Sequence, residues 1–133
     1  MKNKDRIVLQ KLSNYISDVK SFVNGYSYTQ FLDDKKTLAS CAFTVLQMGE
    51  LAKRLSTEVQ EEHTDMPWKG LRGMRNRIVH DYENIDFNVL WETIGHDLPE
   101  FQKNINHILQ EEKKDVESLN DDESEDVEKG PEP

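Results

Sequence analysis

Apolar residues recur along this chain at steps of three and four, the spacing that lines one face of an α-helix. Val8, Leu12, Tyr15, Val19 and Phe22 make the first run, and the helix it predicts should stop near Gly25. Leu38, Cys41, Val45, Met48, Ala52, Leu55 and Val59 make a second, in unbroken three-four alternation. That narrow seam predicts one long helix from about Thr29 to Glu62, bent near its start and suited to packing against antiparallel helices or a second copy.

A third helix is expected after Asp65-Met66-Pro67-Trp68, with Asp65 as cap and Pro67 in the first turn, where a missing N–H costs little. Leu71, Met74, Ile78 and Ile85 should be its buried stripe. Phe87, Trp91, Ile94, Leu98, Phe101, Ile105 and Ile108 mark the last helical stretch, with Asp86 as its cap. Within it, Asp97 and Glu100 have the spacing of a capping box, so a kink or short break is expected between Gly95 and Pro99. No segment alternates with period two, and there is no Asn-Gly or Asp-Gly hairpin turn. The expected architecture is all-α, an antiparallel bundle of four to five helices.

Composition divides the chain. With 133 residues and 35% hydrophobic content there is room for one domain and a surplus that lies outside any core. The net charge of -9 is concentrated at one end, because residues 111–133 hold eleven acids against three lysines and leave the rest almost neutral. A run this polar cannot bury enough apolar surface to order itself. The expected division is therefore a helical domain over 1–110 and a disordered acidic tail over 111–133. A solubilising role for that tail competes with mimicry of nucleic acid, and the tail does not argue against RNA binding.

The single cysteine, Cys41, excludes an internal disulfide and a cysteine-based zinc cluster, and its place on an apolar stripe suits packing. The charged start, Met1 to Arg6, is followed by only three apolar residues. It fits neither a signal peptide nor a membrane span, so a cytoplasmic protein without membrane contact is expected.

Chemistry gathers between Arg75 and Tyr82. Arg75, Asn76, His80 and Tyr82 place a guanidinium, a carboxamide, an imidazole and a phenol within eight residues. A guanidinium binds phosphate through a planar fork of donors, an imidazole moves protons near neutral pH, and a phenol offers a hydroxyl. This set suits phosphodiester chemistry without a metal or cofactor. RNA carries its own nucleophile, so His80 would serve as base or acid and Arg75 would hold the phosphoryl oxygens. Asn76 could orient the imidazole or donate to phosphate, and Tyr82 could hold a phosphate or stack on a base.

On one continuous helix Arg72, Asn76 and His80 share a row, whereas Arg75 and His80 lie about 140° apart. They would converge if the arginine reached round, if the helix ended between them, or if a second copy completed the site. The last possibility predicts a two-fold homodimer with the motif at the dimer cleft. A duller reading of the same residues is a solvated face, with His80 and Asp81 as a surface ion pair. Arg77 is read as surface charge or an RNA backbone contact. His63, His96 and His107 are read as structural or exposed, and Trp68 and Trp91 as core or dimer contacts.

The string Arg75, four residues, His80, one residue, Tyr82 resembles the signature of the HepT family of ribonuclease toxins, within the HEPN superfamily of nucleotide-binding helical domains. Met66-Pro67-Trp68, Gly73-Met74-Arg75-Asn76, Val79-His80-Asp81-Tyr82, Ile85-Asp86 and Asp97-Leu98-Pro99 also read like that family, over roughly residues 5–110. The resemblance implies an all-helical homodimer that cleaves RNA without metal, as the toxin of a toxin-antitoxin system. Its partner would be a minimal nucleotidyltransferase antitoxin of the MntA type, which silences the toxin by adenylylating (AMPylating) the motif tyrosine. Carried over by position, Arg75 and His80 would be catalytic, Asn76 supporting, and Tyr82 the modified residue. The competing class is a non-catalytic module that binds nucleotides or docks a nucleotidyltransferase. A third is a structural dimer whose tail recruits basic partners.

Overall fold

The computed structural model describes residues 1–80 and 84–119, with side chains described as far as Asp115. Those residues form α1 (Asn3–Phe22), α2 (Tyr28–Asp33), α3 (Lys35–Ala52), α4 (Thr57–Glu62), α5 (Trp68–Ile78) and α6 (Phe87–Glu92). A π-helical turn (Thr93–Asp97) and α7 (Leu98–Leu119) complete the order. The protein is all-α: the described residues hold no strand, only a single bridge between Val79 and Ile85.

Helix α1 packs against both α3 and α7. Its contacts with α7 run in opposite chain directions: Ser13 Oγ donates to Asn106 Oδ1 at 2.8 Å, and Lys20 Nζ donates to Gln102 Oε1 at 2.8 Å. The Met1 amino group reaches Glu112 at 2.7 Å. Burial follows from having two partners. Val8, Leu9, Leu12, Ile16 and Val19 are all buried, a wider stripe than the expected one, and Phe22 is left exposed. The helix ends at Phe22, and Gly25 turns the chain at φ +80°, a left-handed conformation that glycine adopts without cost.

The expected helix over Thr29–Glu62 is three helices. Ser27 and Gln30 close a reciprocal capping box at the start of α2. Asp34 then leaves helical geometry (φ -105°, ψ 90°) and accepts from the Thr37 N–H, starting α3. Ser56 starts α4 by accepting from the Val59 N–H at 3.2 Å. Ser56 is itself held by the buried carboxylate of Asp5, which accepts from its N–H at 2.9 Å and its hydroxyl at 2.6 Å. All seven residues of the predicted seam are nonetheless buried.

Asp34 also accepts from the Tyr26 hydroxyl at 2.6 Å and the Thr37 hydroxyl at 2.8 Å. The Tyr26 bond, then those from Thr37, hold its carboxyl down to about 2 from an ordinary 3.8. A lowered folded-state pKa contributes stability above the unfolded value and loses it as pH falls through the folded one. Stability should therefore decline between about pH 4 and pH 2 through this group. Asp34→Asn should flatten that part of a plot of unfolding free energy against pH; an unchanged slope would count against it.

The C-terminal half needs three corrections. Asp65 does not cap α5: Pro67 occupies the N-cap with no side-chain cap bond, and the Trp68 indole instead donates to the His63 carbonyl at 2.8 Å. Asp86 does cap α6, accepting from the Val89 N–H at 3.0 Å. Where a kink or short break was expected between Gly95 and Pro99, a wider π-turn at Thr93–Asp97 carries α6 into α7 without a gap, and Asp97 faces Arg77 at 3.7 Å. Helix α7 continues to Leu119, nine residues past the boundary that charge composition suggested at residue 110. The rest of the acidic tail, 120–133, lies outside the described residues.

Trp68 is buried, and Trp91 stacks on Phe31 with ring centroids 4.8 Å apart. His96 and His107 are exposed and pair with Glu92 and Glu111 four residues away, partners not expected from the sequence. Cys41 is buried, which pushes its thiol up to about 11. No helix among the described residues is long and apolar enough to cross a membrane.

Candidate active site

Helix α5 buries Leu71, Met74 and Ile78 completely, which turns Arg72 and Asn76 to solvent and leaves Arg75 half-buried. Its eleven residues carry four cations (Lys69, Arg72, Arg75, Arg77) and no acid, in a chain whose net charge is -9. Arg75 and Arg77 lie in the last turn, where the helix dipole favours positive charge.

The three guanidiniums are held differently. Arg72 Nη1 bonds Gln60 of α4, and Arg75 Nη1 donates to Asn76 Oδ1 at 3.1 Å. Both partners are neutral carboxamides, and among the described residues no carboxylate pairs with either guanidinium. Arg77 differs: its Nη2 lies 3.7 Å from the Asp97 carboxylate and donates to the Gly70 carbonyl at 3.4 Å. That fits the expected surface role.

The motif does not lie on one helix. Helix α5 ends at Ile78, and Val79 is extended at φ -112°, ψ 106°. Three backbone bonds fix the exit: Val79 N–H to the Arg75 carbonyl at 2.8 Å, His80 N–H to the Asn84 carbonyl at 3.0 Å, and Asp86 N–H to the Ile78 carbonyl at 2.8 Å. Val79 is buried and pairs with Ile85, which belongs to this bridge rather than to the helical stripe expected for it. His80 is thereby anchored through its backbone while its side chain is exposed.

The separation of about 140° holds for one continuous helix, which this segment is not. The helix ends between Arg75 and His80, and the arginine bends round to Asn76. Tyr82 and Asp81 lie outside the described residues. Among the described residues, no group of three or more His, Cys, Asp or Glu is placed to hold a metal ion.

The family model described as ribonuclease HepT-like matches residues 12–108, which takes in the whole site. The chain belongs to the ribonuclease HepT-like family. It is 34% identical over 96 residues to a candidate RNase of Caldanaerobacter subterraneus subsp. tengcongensis, covering 72% of this chain and 82% of that protein. It is 28% identical over 102 residues to the probable ribonuclease HepT of Thermococcus cleftensis, covering 77% and 93%. A candidate RNase of Methanocaldococcus jannaschii is 28% identical over 95 residues, covering 71% and 78%. No solved structure gives a significant match.

Sequence reasoning on this HepT-like chain missed Gln60, which fixes Arg72 from α4, and Gly49, which α5 approaches at Arg75. Gly49 had a legible signal, since a glycine inside a helical repeat costs helix stability and calls for a packing reason. Gln60 had none: it is a polar residue on a short helix.

Proposed function

We propose that this HepT-like protein is the toxin of a toxin-antitoxin pair and cleaves RNA without a metal, with Arg75 and His80 as its catalytic residues. The observation that carries the reading is the end of α5 at Ile78. It frees His80 from the helix while keeping it one bridge away from a positively charged last turn.

In the reaction, the RNA 2′-oxygen bonds to phosphorus as the bond from phosphorus to the 5′-oxygen breaks. The proton of the 2′-hydroxyl passes to a base, and the leaving 5′-oxygen takes one up. His80 performs one or both transfers. The Arg75 guanidinium binds the phosphoryl oxygens as charge builds on them, and Asn76 holds it through the bond at 3.1 Å. Tyr82 contacts a neighbouring phosphate or base.

The MntA-type partner, the homodimer and the adenylylation of Tyr82 follow from the resemblance. Adenylate on Tyr82, two residues after His80 in the sequence, would add bulk and negative charge to the motif and exclude RNA without a change of fold. For the homodimer, α3 offers Phe43, 62% exposed, on the helix against which α5 packs.

The test is cleavage of a labelled RNA in EDTA by protein made without the nucleotidyltransferase. Wild type should cut and His80→Ala should not; equal behaviour of the two would favour a non-catalytic docking module.

A further inference from the structure

Helix α3 has a glycine, Gly49, where it meets Arg75 of α5. A Cβ built on Gly49 would stand 2.9 Å from the Cβ of Arg75, 3.8 Å from its Cγ and 4.0 Å from its Cα. Two aliphatic carbons do not sit at 2.9 Å, and ordinary contact begins near 3.4 Å. The atom in the way is no flexible side-chain end. A Cβ is fixed to the backbone, so α5 itself must move to make room.

What that movement would disturb is specific. The carbonyl of Arg75 accepts the Val79 N–H at 2.8 Å, the last bond before the chain leaves the helix for His80. The Arg75 side chain starts at the contact and bends round to Asn76 at 3.1 Å. Leu71, Met74 and Ile78 beside it on α5 are fully buried, so α5 cannot shift without disturbing the core. Gly49 is also an unfavourable choice on local grounds, since alanine favours a helix interior and glycine does not. The other glycines near the site impose no such limit, since a Cβ on Gly73 meets nothing within 4 Å.

From this we infer that Gly49 is a positioning residue for the ribonuclease reaction: its missing side chain seats the last turn of α5 so that Arg75 reaches the scissile phosphate. The inference rests on the catalytic reading of Arg75 given above. A displacement of about 1 Å at a catalytic group can cost about a hundredfold in rate.

The test is a double-mutant cycle on cleavage of a labelled single-stranded RNA, with thermal unfolding measured alongside. Gly49→Ala should fold and lose about ten- to a hundredfold in kcat, while Gly73→Ala keeps wild-type activity. In an Arg75→Ala background, where the guanidinium is already absent but the Cβ contact persists, Gly49→Ala should cost several-fold less than in wild type, since only the effect on the exit toward His80 remains. A loss of the same size in both backgrounds would overturn the proposal, because Gly49 would then act on the fold at large. Wild-type activity in Gly49→Ala, or failure of that variant to fold, would overturn it too. Full activity in Arg75→Ala alone would instead strike down the catalytic reading of Arg75, separating the two failures.

Discussion

Replacing His80 with alanine should slow RNA cleavage by about a hundred- to ten-thousand-fold, the range that a positioned acid or base contributes. In barrier height that is roughly 3–5 kcal/mol, at 1.36 kcal/mol for each factor of ten. Stability should hardly change. The imidazole is exposed, and the bond that anchors this position runs from the His80 backbone N–H to the Asn84 carbonyl at 3.0 Å, which alanine keeps. Single-turnover cleavage and a thermal melt on the same preparation check both halves. A variant as fast as wild type would remove His80 from the reaction, and one that unfolds early would make it a structural residue.

The largest expected effect on stability lies elsewhere. Phe31→Ala should cost about 3–5 kcal/mol, the range for emptying a fully buried aromatic site. Phe31 is the only buried residue of α2, a helix of six residues, and its ring lies 4.8 Å from that of Trp91. Tyr28 adds a second ring at 5.9 Å from Trp91. So short a helix is not stable by itself, and its attachment depends on this cluster. Against a total stability of about 5–15 kcal/mol, a loss of that size should lower the unfolding midpoint by roughly 10–20 °C. A shift of only a few degrees would mean that α2 is not fastened through Phe31.

Phe31 also shows what helical periodicity can and cannot reveal. Thr29–Glu62 reads as one helix because the three-four spacing of its seam, Leu38 to Val59, runs on through the break at Ser56, and every seam residue is indeed buried. The breaks at Asp34 and Ser56 are made by single capping bonds, to Thr37 and Val59. Such bonds leave no trace in a hydrophobic pattern. Serine or aspartate three residues ahead of the N–H it caps was visible in the sequence, yet it is a weaker signal than seven apolar residues in register. Phe31 fell outside the seam because it belongs to another helix and packs on Trp91, sixty residues on.

Helix α1 illustrates the opposite error. A stripe of steps three and four suits a helix with one neighbour, whereas α1 has two, so Leu9 and Ile16 join the core. Within the candidate site, residue types were legible and geometry was not. No proline or glycine announces the end of α5 at Ile78; tertiary pairing of Val79 with Ile85 ends it. The 140° separation of Arg75 and His80 was computed for a helix that does not continue. Charge composition is likewise silent on the extent of α7, which runs from Leu98 through to Leu119.

The most direct measurement is of the ends left on the RNA. Attack by the 2′-oxygen, with His80 moving the protons, leaves 2′,3′-cyclic phosphate or 3′-phosphate on one fragment and 5′-hydroxyl on the other, whether or not EDTA is present. Those ends, produced by wild type and lost in His80→Ala, are the result predicted here. Fragments carrying 5′-phosphate and 3′-hydroxyl, formed only when a divalent metal is supplied, would contradict it.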